Sequence, residues 1–131
     1  MKFAKAVFLI AGIWGVLVIP PLFFLKDVVG RQSPPPITHP DFYYGFAIVT
    51  LAWQVSFFVI ASNPMRFRPL MIPAALAKFG YAITVFLLHL QGQVDRSLVL
   101  FALVDFTLAV LFVAAFISSR AGYERSGLPR E

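Results

Sequence analysis

Four long apolar segments alternate with short polar segments along the chain. A membrane-spanning helix needs about 20 predominantly apolar residues. The segments that meet this requirement run over residues 6–25, 42–62, 69–90 and 98–117. The pattern therefore predicts an all-α fold, an integral membrane four-helix bundle of up-down topology that forms a single transmembrane domain over residues 1–131, with a polar tail at 118–131.

Proline-rich and polar segments separate the predicted spans. Residues 31–40 contain four prolines and predict an extended loop, because each proline disfavours helix in the residue before it. Residues 63–69 predict a tight turn, and residues 91–96 predict the third connection. Pro20 and Pro21 predict a kink or an early end of the first helix. The bulky sequence at 19–24 has no small-residue cleavage site, so the first segment is predicted to be an uncleaved span rather than a signal peptide.

Composition supports a membrane protein over a soluble one. Hydrophobic residues make up 60% of the chain and charged residues 13%, against roughly 45–50% and about 25% in soluble domains. A soluble domain of this size leaves much of its surface exposed and has no room to bury so many apolar side chains. The chain has no cysteine, which excludes disulfides and cysteine-ligated metal sites.

The distribution of basic residues predicts the orientation of the spans. The net charge is +5, but the basic residues lie in short loops rather than on one face, so we expect no nucleic-acid partner. Cytoplasmic loops carry the excess of Lys and Arg, which predicts cytoplasmic N and C termini. The seven basic residues on the cytoplasmic side are Lys2, Lys5, Arg66, Arg68, Arg120, Arg125 and Arg130, and the three on the other side are Lys26, Arg31 and Arg96.

The cytoplasmic turn that contains Arg66 and Arg68 is a candidate contact for anionic lipid headgroups. Membrane lipids are therefore the expected partners of this surface. A protein partner or a homo-oligomer is also expected, although the sequence does not identify the partner.

Ionisable groups within a span are costly and rare, so each is a candidate for function. Lys78 and Asp105 lie inside the third and fourth predicted spans. At about 1.5 Å rise per residue their backbones differ in height by about 6 Å, most of which a lysine side chain covers. If the two helices are neighbours, Lys78 and Asp105 are expected to form a buried ion pair, with Gln54 and Thr50 as further members of an intramembrane polar site.

Two polar stripes follow from helix phase, because residues eleven apart lie on nearly the same face. The stripes consist of Tyr43, Thr50 and Gln54 on the second span, and of Lys78 and His89 on the third. The functional interpretation is a narrow polar cleft that opens outward and ends at the intramembrane site. Two structural interpretations stay open: the ion pair fixes helix register with Gln54 as an interhelical hydrogen-bonding group, or Lys78 extends towards the cytoplasm.

A second polar cluster is predicted at the outer mouth of the bundle. Its members are His39, Asp41, Tyr43, Tyr44 and His89. Two histidines and one aspartate in these places form no standard ligand spacing, so neither a metal nor a catalytic residue is predicted, and no cofactor is expected. The structural alternative is favoured: Asp41 caps the second helix, and the two tyrosines belong to the interfacial aromatic belt.

Small residues and a tryptophan within the first span indicate how this helix packs. Ala11, Gly12 and Gly15 place small residues at helical spacing and predict a face for close helix contact. Trp14 and Trp53 lie well inside their spans, where packing against neighbours is the default and the lining of a cofactor or lipid pocket is the alternative.

Three runs of sequence carry a resemblance to known proteins. The runs are His39-Pro-Asp-Phe-Tyr-Tyr-Gly45, Ala52-Trp-Gln54 and Arg68-Pro-Leu-Met-Ile-Pro-Ala74. Together they resemble a group of short uncharacterised bacterial four-helix membrane proteins. The size and helix number are also similar to those of the DoxX-like small membrane proteins, without a shared motif. The resemblance implies the bacterial inner membrane and implies no activity.

Two functions are compatible with these features. The first is a small polytopic inner-membrane protein that acts as a non-enzymatic subunit, or as an accessory or lipid-binding component, of a membrane assembly. The alternative is a small membrane enzyme or carrier for a lipidic or quinone-like molecule, with Lys78, Asp105 and Gln54 at its centre. An open cavity that reaches these three residues favours the alternative, and tight packing around them favours the first function.

Overall fold

The computed structural model describes residues 2–125 and Gly127, and within this part of the chain all regular structure is helical. The predicted all-α class is therefore confirmed. The α-helices, in chain order, are α1 Lys2–Val18, α2 Lys26–Gln32, α3 Pro40–Ser62, α4 Met71–Leu90, α5 Arg96–Ser118 and α6 Arg120–Arg125. Two short 3-10 turns, Pro20–Phe23 and Arg68–Leu70, precede α2 and α4.

Within the described residues, four stretches are long and apolar enough to cross a membrane, which confirms that part of the prediction. They are Lys2–Phe23, Pro40–Ser62, Arg68–Leu90 and Arg96–Gly122. Part of the predicted polar tail forms the short helix α6. Ser118 is the last residue of α5, and residues 126 and 128–131 of that tail, among them Arg130, lie outside the described residues.

The first span ends where its prolines predict. Helix α1 stops at Val18, and Pro20 and Pro21 open a 3-10 turn. Proline has no backbone N–H to donate and its ring clashes with the preceding turn of a helix, so the α-helical ladder does not continue through this pair.

Helix α2 corrects the prediction of a loop over residues 31–40. Arg31 and Gln32 form the last turn of α2, and Pro40 is the first residue of α3, so the irregular segment covers only residues 33–39. Pro40 suits its place because proline at the first helical position loses no hydrogen bond. The charges of α2 also suit a helix, with Asp27 in the first turn and Arg31 in the last, where each complements the helix dipole.

The four long helices form two antiparallel pairs. Helix α1 packs chiefly against α3, and α4 packs chiefly against α5, while α1 also contacts α5 and α3 barely touches α4. Gly12 lies against Phe58, and Gly15 lies against Gln54. Residue numbers therefore rise along α1 while they fall along α3, which makes these two helices antiparallel. Tight turns at residues 63–67 and 91–95 reverse the chain before α4 and α5.

A buried aromatic cluster closes one end of the bundle. Phe8, Phe57 and Phe112 are almost completely inaccessible. The ring centroids of Phe8 and Phe112 are 4.3 Å apart in a stacked arrangement, and Phe57 meets Phe112 edge-on at 5.1 Å. We call this end, where α1 begins and α5 ends, the base. The opposite end, which carries α2, is called the mouth.

Candidate functional site

A cavity of about 440 Å³ lies between the two helix pairs on the mouth side of the aromatic cluster. Its volume falls within the range of about 300–1,000 Å³ that is usual for sites that hold one small molecule. Most of the lining is apolar. Seven polar or ionisable residues of α3, α4 and α5 also contribute to it: Tyr43, Thr50, Gln54, Lys78, Tyr81, Ser97 and Asp105.

The predicted contact between Lys78 and Asp105 is confirmed. The Lys78 ammonium donates to Oδ1 of Asp105 with Nζ and Oδ1 2.9 Å apart. The side chain of Lys78 is 9% exposed and that of Asp105 is 17% exposed. The ammonium also lies 5.6 Å from the centroid of the Phe57 ring. Lys78 is therefore held between a carboxylate and an aromatic face, and does not extend towards the base as the second structural interpretation required.

Gln54 adjoins the ion pair but does not bridge helices by hydrogen bonds. Its Nε2 donates to the backbone oxygen of Thr50, one turn earlier in the same helix, at 2.8 Å. Its Oε1 is buried and has no hydrogen-bond partner within the described part of the chain. The prediction of Gln54 as an interhelical hydrogen-bonding group is thus wrong, because its amide satisfies a carbonyl of α3 and packs against α1 without a donor there.

Glycine in α1 makes the position of Gln54 possible. A Cβ atom on Gly15 would overlap the Cδ and Oε1 atoms of Gln54, and one on Gly12 would lie 2.8 Å from the Phe58 ring. Ala11, on the same face, is fully buried. The predicted small-residue contact face of α1 is therefore confirmed. At Gly15, the absence of a side chain leaves room for the polar side chain of Gln54 between α1 and α3.

The segment between the first two spans covers the mouth of the cavity. Val29 and Gln32 of α2 line it, followed by Ser33. The Ser33 hydroxyl lies 3.4 Å from that of Ser97 at the start of α5. This cover was not predicted, because the polar stripes indicated a cleft that opens outward. The local signal for a helix there is the acidic first turn and basic last turn of α2.

Ser97 also belongs to the cap of α5. Asp95 precedes this helix and accepts hydrogen bonds from the Ser97 hydroxyl at 2.8 Å and from the Arg96 backbone N–H at 2.7 Å. Both hydrogen bonds lower the pKa of the Asp95 carboxyl, and the one from the Ser97 hydroxyl has the larger effect. The cap fixes the end of α5 that faces Ser33.

A hydrogen bond from Tyr43 connects the mouth end of α3 to the turn that follows α1. Its hydroxyl donates to the backbone oxygen of Leu22 at 2.7 Å. Tyr44 packs edge-on against Tyr43 and is stacked near Phe23, with centroids 5.3 Å and 6.1 Å apart. Both tyrosines thus lie at one end of the apolar span, and Tyr43 in addition lines the cavity.

The two histidines of the predicted outer cluster have different contacts. His39 contacts the Phe42 ring, whereas His89 lies with Nδ1 3.1 Å from the backbone oxygen of Val94 in the α4–α5 turn. Within the described residues, no group of three or more His, Cys, Asp or Glu side chains has the arrangement needed for a metal ion. His89 shares a helix face with Lys78 but is not part of the cavity lining.

Asp41 does not cap α3 as predicted. The helix begins at Pro40, so the N-cap position is occupied by His39, whose side chain makes no capping hydrogen bond, and Asp41 lies within the first turn. A carboxylate there still interacts favourably with the positive end of the helix dipole.

Arg66 and Arg68 occupy different environments at the base. Arg66 is exposed. Arg68 reaches across to α5: its Nη2 donates to the backbone oxygen of Phe116 at 2.7 Å, and its guanidinium carbon lies 3.7 Å from the Phe116 ring centroid. It therefore binds a carbonyl from the last turn of α5, where carbonyls have no partner within the helix. Contact with lipid headgroups stays a prediction for both residues.

Three aromatic residues line the cavity and also reach the outer surface of the bundle. Trp14, Phe46 and Phe101 are 37%, 44% and 44% exposed. The cavity wall at these places is one side chain thick. Trp53, by contrast, packs against the buried core cluster, so the two tryptophans differ in role.

Comparisons with family profiles, with curated protein sequences and with solved structures find no match to this chain.

The ion pair leads to a double-mutant prediction. Lys78→Met and Asp105→Asn are each expected to destabilise the bundle, because each removes one partner of a buried ion pair, a change that costs about 3–5 kcal/mol in proteins. Combining Lys78→Met with Asp105→Leu is expected to restore much of the loss, since no unpaired charge remains. The measurement is the melting temperature in detergent, and unchanged melting of both single variants would contradict the pairing.

A second prediction concerns Gly15. Gly15→Ala is expected to force the Gln54 amide away from the Thr50 carbonyl, a loss of about 1 kcal/mol for a hydrogen bond within a membrane. Gly80→Ala is the matched control, because a Cβ there meets no atom within 4 Å. Both variants gain similarly in helix propensity.

The comparison between the two alanine variants isolates the contact with Gln54. We expect Gly15→Ala to melt below Gly80→Ala, and the difference to shrink when Gln54→Ala is added to both. Equal melting of the two single variants would mean that the Gly15 contact does not hold Gln54.

Proposed function

We propose that this protein lies in the bacterial inner membrane with both termini in the cytoplasm. The base of the bundle carries exposed basic residues in greater number than the mouth, and cytoplasmic segments are those enriched in Lys and Arg. The exposed basic residues of the base are Lys2, Lys5, Arg66, Arg120 and Arg125. The bacterial location rests on the resemblance of the three sequence runs.

In this membrane, the protein binds one lipidic or quinone-like molecule in its cavity. The observation that carries the proposal is the combination of about 440 Å³ of open space with a buried ion pair at its inner end. Sites for small molecules combine mostly apolar walls with a few polar groups that fix orientation. The cavity has this character, with Lys78 and Asp105 as the fixed polar groups.

The cavity supports the carrier function more than a purely structural role in an assembly. An ion pair that only fixes helix register needs no open space beside it, and helix packing in membranes favours close contact of small residues. We favour binding over catalysis, because the two ionisable groups that meet at the inner end of the cavity are engaged with each other. Participation in a larger assembly stays a prediction.

The orientation generates a prediction that the absence of native cysteine makes easy to test. Thr38→Cys and Gln93→Cys place single thiols at the mouth, and Ala121→Cys places one at the base; all three positions are exposed. A membrane-impermeant maleimide is expected to label the first two in intact spheroplasts and the third only after permeabilisation. The reverse pattern would overturn the orientation.

The binding function predicts an enriched molecule in the purified protein. Val18→Phe adds a ring to the cavity wall, whereas Val16→Phe adds the same ring to an exposed position of the same helix. After transfer to nanodiscs of one synthetic lipid, mass spectrometry of an organic extract is expected to detect a native lipidic molecule in wild type and in Val16→Phe. The same molecule should be strongly reduced in Val18→Phe, and equal amounts in all three would contradict the proposal.

A further inference from the structure

We infer, resting on the proposed function, that the cavity selects a molecule with an uncharged head group that donates a hydrogen bond, such as a hydroxyl on an alkyl chain or ring. The head group is received by the free carboxylate oxygen of Asp105. The apolar body of the molecule extends from there between Phe46 and Phe101.

Charge balance favours an uncharged head group. Lys78 and Asp105 form a contact with Nζ and Oδ1 2.9 Å apart, and their charges sum to zero. A charged group in the hydrocarbon region is costly unless it is paired. An anionic head would have to take Lys78 from Asp105, and a cationic head would have to take Asp105 from Lys78. Either exchange leaves one protein charge without its partner, whereas a neutral head leaves the pair intact.

The accessible partner of the pair is its acceptor. The Asp105 side chain is 17% exposed and that of Lys78 only 9%. The ammonium is covered by Asp105 on one side and by the Phe57 ring on another. Lys78 donates to Oδ1 of Asp105, and among the side chains that the structure describes none donates to Oδ2. A molecule that enters from the cavity therefore meets a carboxylate oxygen that lacks a donor.

The surroundings of Asp105 reinforce this chemistry. Tyr81 lines the same cavity as Asp105, and its hydroxyl is a second group in the lining that can donate or accept a hydrogen bond. Gln54 Oε1 is also an acceptor without a donor. Because that atom packs against Gly15, we assign the head group to Asp105.

The remaining walls suit a slender apolar body. Val18, Leu22 and Leu98 line the cavity towards the mouth, together with Phe46 and Phe101. The two phenylalanines are each 44% exposed, so a chain that passes them reaches the lipid-facing surface. A volume of about 440 Å³ holds one molecule of modest size.

Head-group selectivity is tested with four probes that share one chain length. They are dodecanol, dodecylammonium, dodecanesulfonate and dodecane, each brominated at the chain end, because a brominated chain quenches an indole that it contacts. The protein carries Trp53→Phe, which leaves Trp14 in the cavity wall as the reporter, and is held in nanodiscs. Binding is compared at equal probe concentration in the membrane.

Dodecanol is expected to bind about ten-fold more tightly than dodecane, the ratio that corresponds to one hydrogen bond to a charged acceptor, and more tightly than either ion. The double variant Lys78→Met/Asp105→Leu keeps the cavity free of unpaired charge and is expected to bind dodecanol and dodecane alike. Tighter binding of either ion, or retention of the dodecanol preference by the double variant, would overturn the head-group inference alone.

Failure of the proposed function has a different outcome. If all four probes quench Trp14 equally in the parent protein and after addition of Val18→Phe, the quenching comes from the surrounding lipid and the cavity binds none of them. Quenching that Val18→Phe reduces and Val16→Phe leaves unchanged identifies the cavity as the binding site, whichever head group is preferred.

Discussion

The rest of this bundle depends on the ion pair between Lys78 and Asp105. Hydrocarbon offers neither charge a partner, so α4 and α5 have to lie side by side with these two residues in contact. That requirement fixes the register of one helix pair. The Phe57 ring lies beside the ammonium, and of the two side chains in the pair that of Asp105 is the more exposed. One electrostatic constraint thereby determines both how two helices pack and which chemistry the cavity offers.

Packing is distributed unevenly along the bundle. At the base, Phe8, Phe57 and Phe112 interlock and the neighbouring helices are in close contact. Towards the mouth, the cavity lies between the α1–α3 pair and the α4–α5 pair. Gly15 and Gln54 both line this cavity, and the Gln54 side chain fills the space that a Cβ atom on Gly15 would need. The cavity is thus a consequence of where large and small side chains fall on four otherwise regular helices.

The sequence predicts those features that depend on local pattern or on a strong energetic penalty. Span number follows from apolar length, and the pairing of Lys78 with Asp105 follows from the cost of isolated charge in lipid. Features that depend on distant contacts were not predictable. Arg68 binds a carbonyl of Phe116, 48 positions along the chain, and no local signal reports such a partner. Helix α2 is short, and short helices owe their stability to tertiary contacts more than to propensity. The cavity volume depends on the joint placement of side chains from five helices, which periodicity does not determine.

The thin aromatic parts of the cavity wall have a consequence for kinetics. Trp14 and Phe101 line the cavity and are also exposed, so exchange of the proposed molecule with the bilayer at these places requires the turning of a ring and not the parting of helices. Rotations of exposed side chains take picoseconds to nanoseconds, whereas collective helix motions take microseconds to milliseconds. For the occupant proposed above, occupancy then follows the composition of the membrane at equilibrium, and the residence time is set by the proposed contact at Asp105 and not by an opening step.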